Sequence, residues 1–188
     1  MLLFAAHDPG AKNHLWPIYK HALTLGETPK FIDLSSSQAY MDDSVASKLV
    51  RALRPELLIV GCSANRAEWA LTRSCTREGI NTTMMLDIGM GRTLEDISSL
   101  AFPVSFMVTN SGWVEELIGL GASRDSIIVT GSAHLEWLSR QGIGKTSDQI
   151  KRGYGLESRS NIVPFFCSPN TDDSIGALVS LASLIPST

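Results

Sequence analysis

The sequence has little of what marks several protein classes. Its three cysteines, in 188 residues, are odd in number and show no metal-ligand spacing. We therefore expect reduced thiols and a cytoplasmic protein without a disulfide framework. The net charge is only −3, and lysine and arginine are scattered along the chain, which argues against nucleic acid as a partner. No apolar run approaches the roughly 20 residues that a membrane span requires.

Common motifs for phosphate, nucleophile and metal chemistry are also absent. The sequence contains no G-x-G-x-x-G, no G-x-x-x-x-G-K-S/T and no G-x-S-x-G, so no dinucleotide fingerprint, Walker loop or nucleophile elbow is assigned. His7, His14 and His21 fall seven residues apart, but only the last two share a predicted helix. We therefore expect neither a cofactor nor a metal site.

What the sequence does contain is the material for a packed α/β domain. Hydrophobic residues make up 44% of the chain and charged residues 19%, enough for one sizeable core. Short apolar runs rich in Val, Ile and Phe alternate with longer amphipathic stretches, a pattern typical of βα units around a parallel sheet. Because most runs are apolar throughout, helices should cover both faces of the sheet. The prediction is a doubly wound, Rossmann-like parallel sheet.

The pattern predicts six strands and five helices before residue 142. The strands are Leu2–Ala6, Pro29–Leu34, Leu57–Gly61, Thr82–Leu86, Val104–Val108 and Ser126–Thr130. The helices are Asn13–Leu25, Ser44–Leu53, Arg66–Glu78, Ser111–Leu120 and His134–Arg140, with Asn13, Asn65 and Ser111 as N-caps and Gly26, Gly79 and Gly121 at C-terminal ends.

A polar, glycine-containing segment after Arg140 indicates a change in organisation. We predict a Rossmann-like domain over residues 1–142, a connector over 143–160 with a short helix at Ser147–Tyr154, and a single βα unit over 161–188. In that unit, a strand at Asn161–Phe166 precedes a helix at Thr171–Leu184. The unit either packs on the first sheet or begins a second domain.

The first polar loop of interest follows the first predicted strand. Ligands of open α/β sheets bind at the carboxyl ends of the strands. His7 and Asp8 are therefore candidate acid–base residues or ligands of sugar hydroxyl groups. Gly10 would allow close backbone approach, and amides near Asn13 would face an anion. The alternative is that Asp8 and Pro9 only shape a tight turn.

Asp87 is the next candidate, because it directly follows the predicted strand Thr82–Leu86. Its carboxylate would lie at the edge of an apolar wall, which is a suitable position for acid–base catalysis. Arg92 lies in the same glycine-containing loop and is a candidate for substrate binding. The alternative is that Asp87 caps the following turn.

Other strand-end residues are candidates for substrate binding. Ser63, Asn65 and Arg66 could offer a hydroxyl, an amide and a guanidinium to an anionic substrate, or only begin a helix. Further along the chain, the candidates Asn110, Ser132 and His134 also lie next to predicted helix starts, where a structural role is the alternative. We interpret the four tryptophans as packing residues, and Cys167 as an inert cysteine. The tryptophans are Trp16, Trp69, Trp113 and Trp137.

Several of these segments together resemble one family. Leu57–Gly61, the helix through Cys75, and Thr82–Leu86 with the following Asp87-Ile88-Gly89 resemble the amino-terminal domain of UDP-N-acetylglucosamine 2-epimerases and related GT-B glycosyltransferases. The resemblance spans roughly Glu56 to Leu138 and extends to the Asp8-Pro9-Gly10 loop. Three later segments are similar to the family's run before its interdomain linker: Phe106–Asn110, Leu120–Ala122 and Ile127–Ser132.

The resemblance implies a function as well as a fold. It places Asp87 at the position of a catalytic glutamate of the epimerases. This chain departs from the epimerases in two places: Cys62-Ser63-Ala64-Asn65 stands where they have an acidic residue, and Cys167-Ser168-Pro169 where they have a histidine. In GT-B enzymes the amino-terminal half mainly holds the acceptor, and a second Rossmann domain holds the nucleotide-sugar donor.

We therefore predict a glycosyltransferase-like protein of sugar-nucleotide or polysaccharide metabolism that uses His7, Asp8 and Asp87 toward an acceptor. A missing carboxy-terminal domain would bind the nucleotide sugar, so the chain alone should have little activity. One alternative is a non-catalytic module that binds a sugar or nucleotide, or a homodimer assembled through the apolar helix Ile175–Ile185. Another is a sugar-nucleotide epimerase or hydrolase.

Overall fold

The computed structural model describes residues 1–36, 41–63, 67–86, 104–141, 144–159 and 171–183. The chain divides into two compact units, Met1–Gly142 and Ile143–Thr188. Within the described residues, all strands belong to the first unit. No described helix is both long and apolar enough to cross a membrane.

A six-stranded, entirely parallel sheet forms the centre of the first unit, in the order β2-β1-β3-β4-β5-β6. Each predicted apolar run forms one strand, with ends within one residue of the prediction. The strands are β1 (Leu2–Ala6), β2 (Lys30–Asp33), β3 (Leu57–Val60), β4 (Asn81–Leu86), β5 (Val104–Val108) and β6 (Ile127–Val129).

Seven α-helices lie within the described residues. Five belong to the first unit: α1 (Pro9–Thr24), α2 (Asp43–Leu53), α3 (Ala67–Arg77), α4 (Gly112–Gly119) and α5 (Ala133–Arg140). Two belong to the second unit: α6 (Ser147–Gly153) and α7 (Thr171–Ser183). Two short 3₁₀ helices, Leu34–Ser36 and Arg124–Ser126, follow β2 and precede β6.

Both faces of the sheet are covered, which explains the unbroken apolar sequence of the central strands. Successive strand residues point to opposite faces. In β1, Leu3 and Ala5 belong to a core shared with α2, α3 and α4, whereas Phe4 and Ala6 belong to a second core shared with α1. Phe4 is fully buried, and burial of a side chain of this size contributes about 2 to 3 kcal/mol. The predicted doubly wound parallel sheet is confirmed.

Helix α1 begins at Pro9, so the prediction of a start at Asn13 is wrong. Asp8 occupies the N-cap position in extended conformation, and the N–H of Lys12 donates to its carbonyl at 3.0 Å. Proline is well suited to the first helical position, because its φ is already helical and an N–H there has no helical partner. Gly10 and Asn13 therefore lie within the helix and not in a loop.

The predicted helix ends are confirmed. Gly26, Gly79 and Gly121 have φ of +82°, +71° and +97°, a conformation in which glycine lacks the steric penalty of a Cβ atom. Cys62 and Cys75 are buried thiols. Burial raises the pKa of Cys75 to about 11.

The second unit contributes two predicted helices. Helix α6 begins with a capping box, in which the Thr146 hydroxyl accepts the Gln149 N–H at 3.3 Å and the Gln149 side chain accepts the Thr146 N–H at 2.7 Å. Helix α7 covers Thr171–Ser183, and the predicted last residue, Leu184, lies outside the described residues. The predicted strand Asn161–Phe166 and Cys167 lie outside the described residues.

Candidate functional site

The strand order changes direction between β1 and β3. From β1 the chain passes to the edge strand β2, whereas from β3 it passes to β4 on the other side. The helices that follow these strands, α1 and α3, pack on opposite faces of the sheet. Such a topological switch point leaves a crevice at the carboxyl ends of the two strands, where open α/β sheets bind ligands.

Glu68 connects the two sides of this switch point. It lies in the first turn of α3 and is fully buried. Its Oε1 accepts the N–H of His7 at 2.8 Å, and its Oε2 accepts the Ser63 hydroxyl at 2.5 Å. A buried carboxylate requires such partners, and its charge is favourable near a helix N-terminus. One side chain thus holds the end of β1 to the segment after β3.

His7 and Asp8 are the more exposed part of the same arrangement. Nδ1 of His7 lies 2.6 Å from Oδ1 of Asp8, and the two side chains are 28% and 43% exposed. A carboxylate at Nδ1 orients an imidazole and leaves Nε2 available for proton transfer. We name His7, Asp8, Ser63 and Glu68 the strand-end cluster. It brings together three residues predicted from the sequence.

Close packing between β3 and α1 fixes the geometry beneath the cluster. The N–H of Gly61 donates to the carbonyl of Ala5 at 3.0 Å, which continues the pairing of β1 with β3. A Cβ atom added to Gly61 would lie 2.3 Å from the Cβ of Ala11 in α1. Only glycine allows the helix to lie this close to the strand end.

Asn110 and Ser132 are explained by helix starts. Oδ1 of Asn110 accepts the N–H of Gly112, the first residue of α4, at 2.9 Å. The predicted N-cap Ser111 occupies the cap position, but its side chain makes no capping bond. The hydroxyl of Ser132 accepts the N–H of Leu135 at 3.2 Å and caps α5. These contacts match the structural alternative for both residues.

Four predicted site residues lie outside the described part of the chain: Asn65, Arg66, Asp87 and Arg92. Their roles stay predictions. Among the described residues, no group of three or more His, Cys, Asp or Glu side chains is placed to hold a metal ion.

Asn13 and His134 lie in a separate depression formed by α1, the end of β2 and α5. Its volume is about 540 Å³, within the range of about 300 to 1,000 Å³ common for small-molecule sites. We name it the aromatic groove. Its lining residues are Lys12, Asn13, Trp16, Pro17, Tyr19, Phe31, Asp33, His134 and Trp137.

A compact ion pair occupies one end of the aromatic groove. Nζ of Lys12 lies 2.5 Å from Oδ1 of Asp33 and also donates to the Ser35 hydroxyl at 2.5 Å. The hydrogen bond from Lys12, with a further one from Ser35, lowers the pKa of Asp33 to about 2. The carboxylate is therefore ionised at neutral pH and its charge is compensated locally.

Two of the four tryptophans, Trp16 and Trp137, line the aromatic groove. Trp69 and Trp113 are buried packing residues as predicted, but Trp16 and Trp137 are 42% and 38% exposed. Trp16 stacks on Tyr19 with ring centroids 5.2 Å apart, and Trp137 stacks on His134 at 6.4 Å. These two tryptophans therefore pack on neighbouring rings, but they lie at the surface and outside the buried core.

The sequence analysis did not predict a role for Glu68, which lies inside the predicted helix Arg66–Glu78. One signal was available, because Glu68 lies within the apolar run Ala67-Glu68-Trp69-Ala70-Leu71. A charged residue within such a run is buried with it and requires a specific partner.

Comparison with known proteins places the fold but not the family. No protein-family model matches the chain, and no curated protein matches it. The chain is similar to the structure of UDP-N-acetylglucosamine 2-epimerase from Rickettsia bellii, with a TM-score of 0.55 and 13% sequence identity. The match covers 83% of this chain and 51% of the epimerase chain, so this chain spans about half the length of that structure.

Proposed function

We propose that this protein acts on a sugar or a sugar nucleotide, and that Met1–Gly142 serves as the amino-terminal, acceptor-side domain of a glycosyltransferase-like protein of the GT-B type. The observation that carries the proposal is the strand-end cluster. It places an imidazole–carboxylate pair at the switch point of a sheet whose fold is similar to that of a sugar-nucleotide epimerase. The switch point is where such sheets bind their ligands.

The proposed chemistry uses His7 and Asp8. In a glycosyl transfer, an acceptor hydroxyl must lose its proton as its oxygen bonds to the anomeric carbon and the nucleoside diphosphate leaves. His7 would take that proton at Nε2, with Asp8 orienting the ring through Nδ1. Glu68 is buried and accepts from both His7 and Ser63, so it positions the pair without touching the sugar.

A non-catalytic sugar- or nucleotide-binding module is the second candidate. Glu68 is fully buried, so of the acidic and basic residues in the cluster only His7 and Asp8 are exposed enough to exchange a proton with a ligand. This small number of accessible groups favours a binding role. A sugar-nucleotide epimerase or hydrolase would instead depend on Asp87.

The test measures binding and turnover with one panel of UDP- and CMP-sugars. We expect little turnover by this chain alone. The sugar of at least one sugar nucleotide should still bind at the strand-end cluster, and His7→Ala and Asp8→Asn should each weaken that binding by about tenfold or more, which is about 1.4 kcal/mol. The matched control is Asp125→Asn, which alters an exposed residue in the 3₁₀ helix before β6.

Each outcome supports or contradicts a different candidate function. Robust turnover by this chain alone would contradict the acceptor-side assignment, whereas binding that depends on neither His7 nor Asp8 supports the non-catalytic module. Release of UDP from UDP-N-acetylglucosamine that disappears in Asp87→Asn supports the epimerase or hydrolase. If no sugar nucleotide binds or reacts, the proposed function is wrong.

A further inference from the structure

The aromatic groove combines features that select one class of ligand. Its walls are rings, with Trp16 and Trp137 only partly covered by protein. At its rim, the Asn13 amide supplies hydrogen-bond donors and an acceptor, and the His134 imidazole supplies two ring nitrogens. Apolar faces beside polar edges suit a molecule that is itself amphipathic, with C–H faces and hydroxyl edges.

The ion pair at one end of the groove argues against an anionic ligand at that end. The ammonium group of Lys12 lies 2.5 Å from the Asp33 carboxylate and also donates to Ser35. A phosphate that approached Lys12 would meet the carboxylate as well, and like charges at short range repel. A neutral ligand avoids this repulsion and can still accept or donate hydrogen bonds along the ion pair.

The shape of the surface indicates a ligand longer than one ring. A second depression of about 440 Å³ runs between α1 and α5, and Pro17 and Trp137 line both depressions. Glu136 and Arg140, which line the second depression, form an ion pair with each other. The two depressions are therefore neighbours along the α1–α5 contact and share Pro17 and Trp137 in their linings.

The Trp16 ring stacks on Tyr19, and Nζ of Lys20 lies 4.8 Å from its centroid. We propose that the aromatic groove binds a neutral saccharide, with a pyranose ring stacked against Trp137, the edge of Trp16 beside it, and hydroxyl groups bound by Asn13 and His134. None of the four residues of the strand-end cluster lines the groove. The proposal stands on the geometry of the groove and does not depend on the proposed function.

The test uses the full chain and measures binding by isothermal titration calorimetry and by saturation-transfer NMR. The probes are methyl glycosides of glucose, galactose, mannose and N-acetylglucosamine and their β1,4-linked disaccharides, with uridine and UDP as non-saccharide and anionic comparisons. We expect saturable binding of at least one neutral saccharide, tighter for a disaccharide than for its monosaccharide. UDP should not compete for the groove.

Variants connect the binding to the groove. Trp137→Ala should weaken saccharide binding about tenfold, Asn13→Ala about threefold, and Trp137→Phe less than threefold, because a Phe ring retains stacking. Leu135→Ala is the matched control, since Leu135 lies on the same helix, is 65% exposed and does not line the groove. Thermal unfolding of each variant shows that the fold is retained.

The proposal is overturned if no neutral saccharide binds, if Trp137→Ala and Trp16→Ala leave binding unchanged, or if Leu135→Ala weakens it equally. Binding of uridine in place of every saccharide would also overturn it. His7→Ala separates this proposal from the proposed function. Loss of sugar-nucleotide binding in that variant, with saccharide binding intact, shows that the two sites are independent.

Discussion

The strand-end cluster and the aromatic groove differ in how their polar groups are satisfied. In the cluster, the fully buried Glu68 carboxylate accepts hydrogen bonds from His7 after β1 and from Ser63 after β3. Contacts within the protein therefore fix the geometry of the cluster. In the groove, the two tryptophans that give it its character are partly exposed, and its ion pair lies near the surface. The positions of the cluster side chains are therefore fixed by internal hydrogen bonds, whereas the groove keeps exposed ring surface that is accessible to a ligand.

The largest expected effect on stability comes from replacing Glu68, which disrupts the strand-end cluster. Glu68→Ala leaves the His7 N–H and the Ser63 hydroxyl without their acceptor, and each unsatisfied buried group is costly. We expect the free energy of unfolding to fall by about 3 kcal/mol, with a decrease in Tm of roughly 10 °C. Thermal and urea denaturation measure this loss.

Two further variants control that prediction. Glu68→Gln keeps one oxygen acceptor and should lose about half as much stability. Glu115→Ala removes an exposed acid from the first turn of α4 and should change stability by less than about 0.5 kcal/mol. Equal effects of Glu68→Ala and Glu115→Ala would contradict a connecting role for Glu68.

The next effect concerns the packing beneath the cluster. Gly61→Ala places a Cβ atom 2.3 Å from the Cβ of Ala11, so α1 must move away from the strand end. We expect a loss of about 2 kcal/mol. Gly119→Ala is the matched control, because no atom lies within 4 Å of its added Cβ, and it should be neutral or stabilising by up to about 1 kcal/mol. If Gly61→Ala is as mild as the control, the close contact does not constrain α1.

The smallest effect belongs to the groove and depends on pH. Lys12 lowers the pKa of Asp33 from 3.8 to about 2. A lowered pKa in the folded state stabilises the protein above pH 3.8, and this contribution is lost as the pH falls toward 2. Because Asp33 is 51% exposed, we expect less than about 1 kcal/mol.

The measurement compares wild type with Asp33→Asn in urea denaturation from pH 6 to pH 2. The difference in unfolding free energy should shrink as the pH falls and decrease at high salt. Asp125→Asn, at an exposed position, is the control. A difference that is constant with pH would contradict the ion pair as its source.

The fold was predictable because each strand carries its own signal. The runs of β1 and β5 are apolar at every position that the sheet buries, and the glycines at the ends of α1, α3 and α4 mark those ends locally. The start of α1 was missed because Asn13 is also a good N-cap residue. Pro9 explains the observed start of α1, because its fixed φ is already helical and allows the helix to begin before Asn13.

The site was less predictable because it depends on contacts between distant residues. His7 and Glu68 are 61 positions apart in sequence, and no periodicity reports such a pairing. The exposure of Trp16 and Trp137 depends on how α1 packs against α5, which a helical pattern alone does not specify. Asp8 and Ser63 were predicted because strand ends are the usual ligand positions, a rule that requires only the strand assignments.

The central claim is that the strand-end cluster contacts the sugar of a sugar nucleotide. Titration of the ¹⁵N-labelled chain with UDP-N-acetylglucosamine, followed by amide NMR shifts, tests it most directly. The account predicts saturable shifts at His7, Asp8 and Gly61 to Ser63, which weaken in His7→Ala. Saturable shifts confined to other parts of the chain, or none at all, would contradict it.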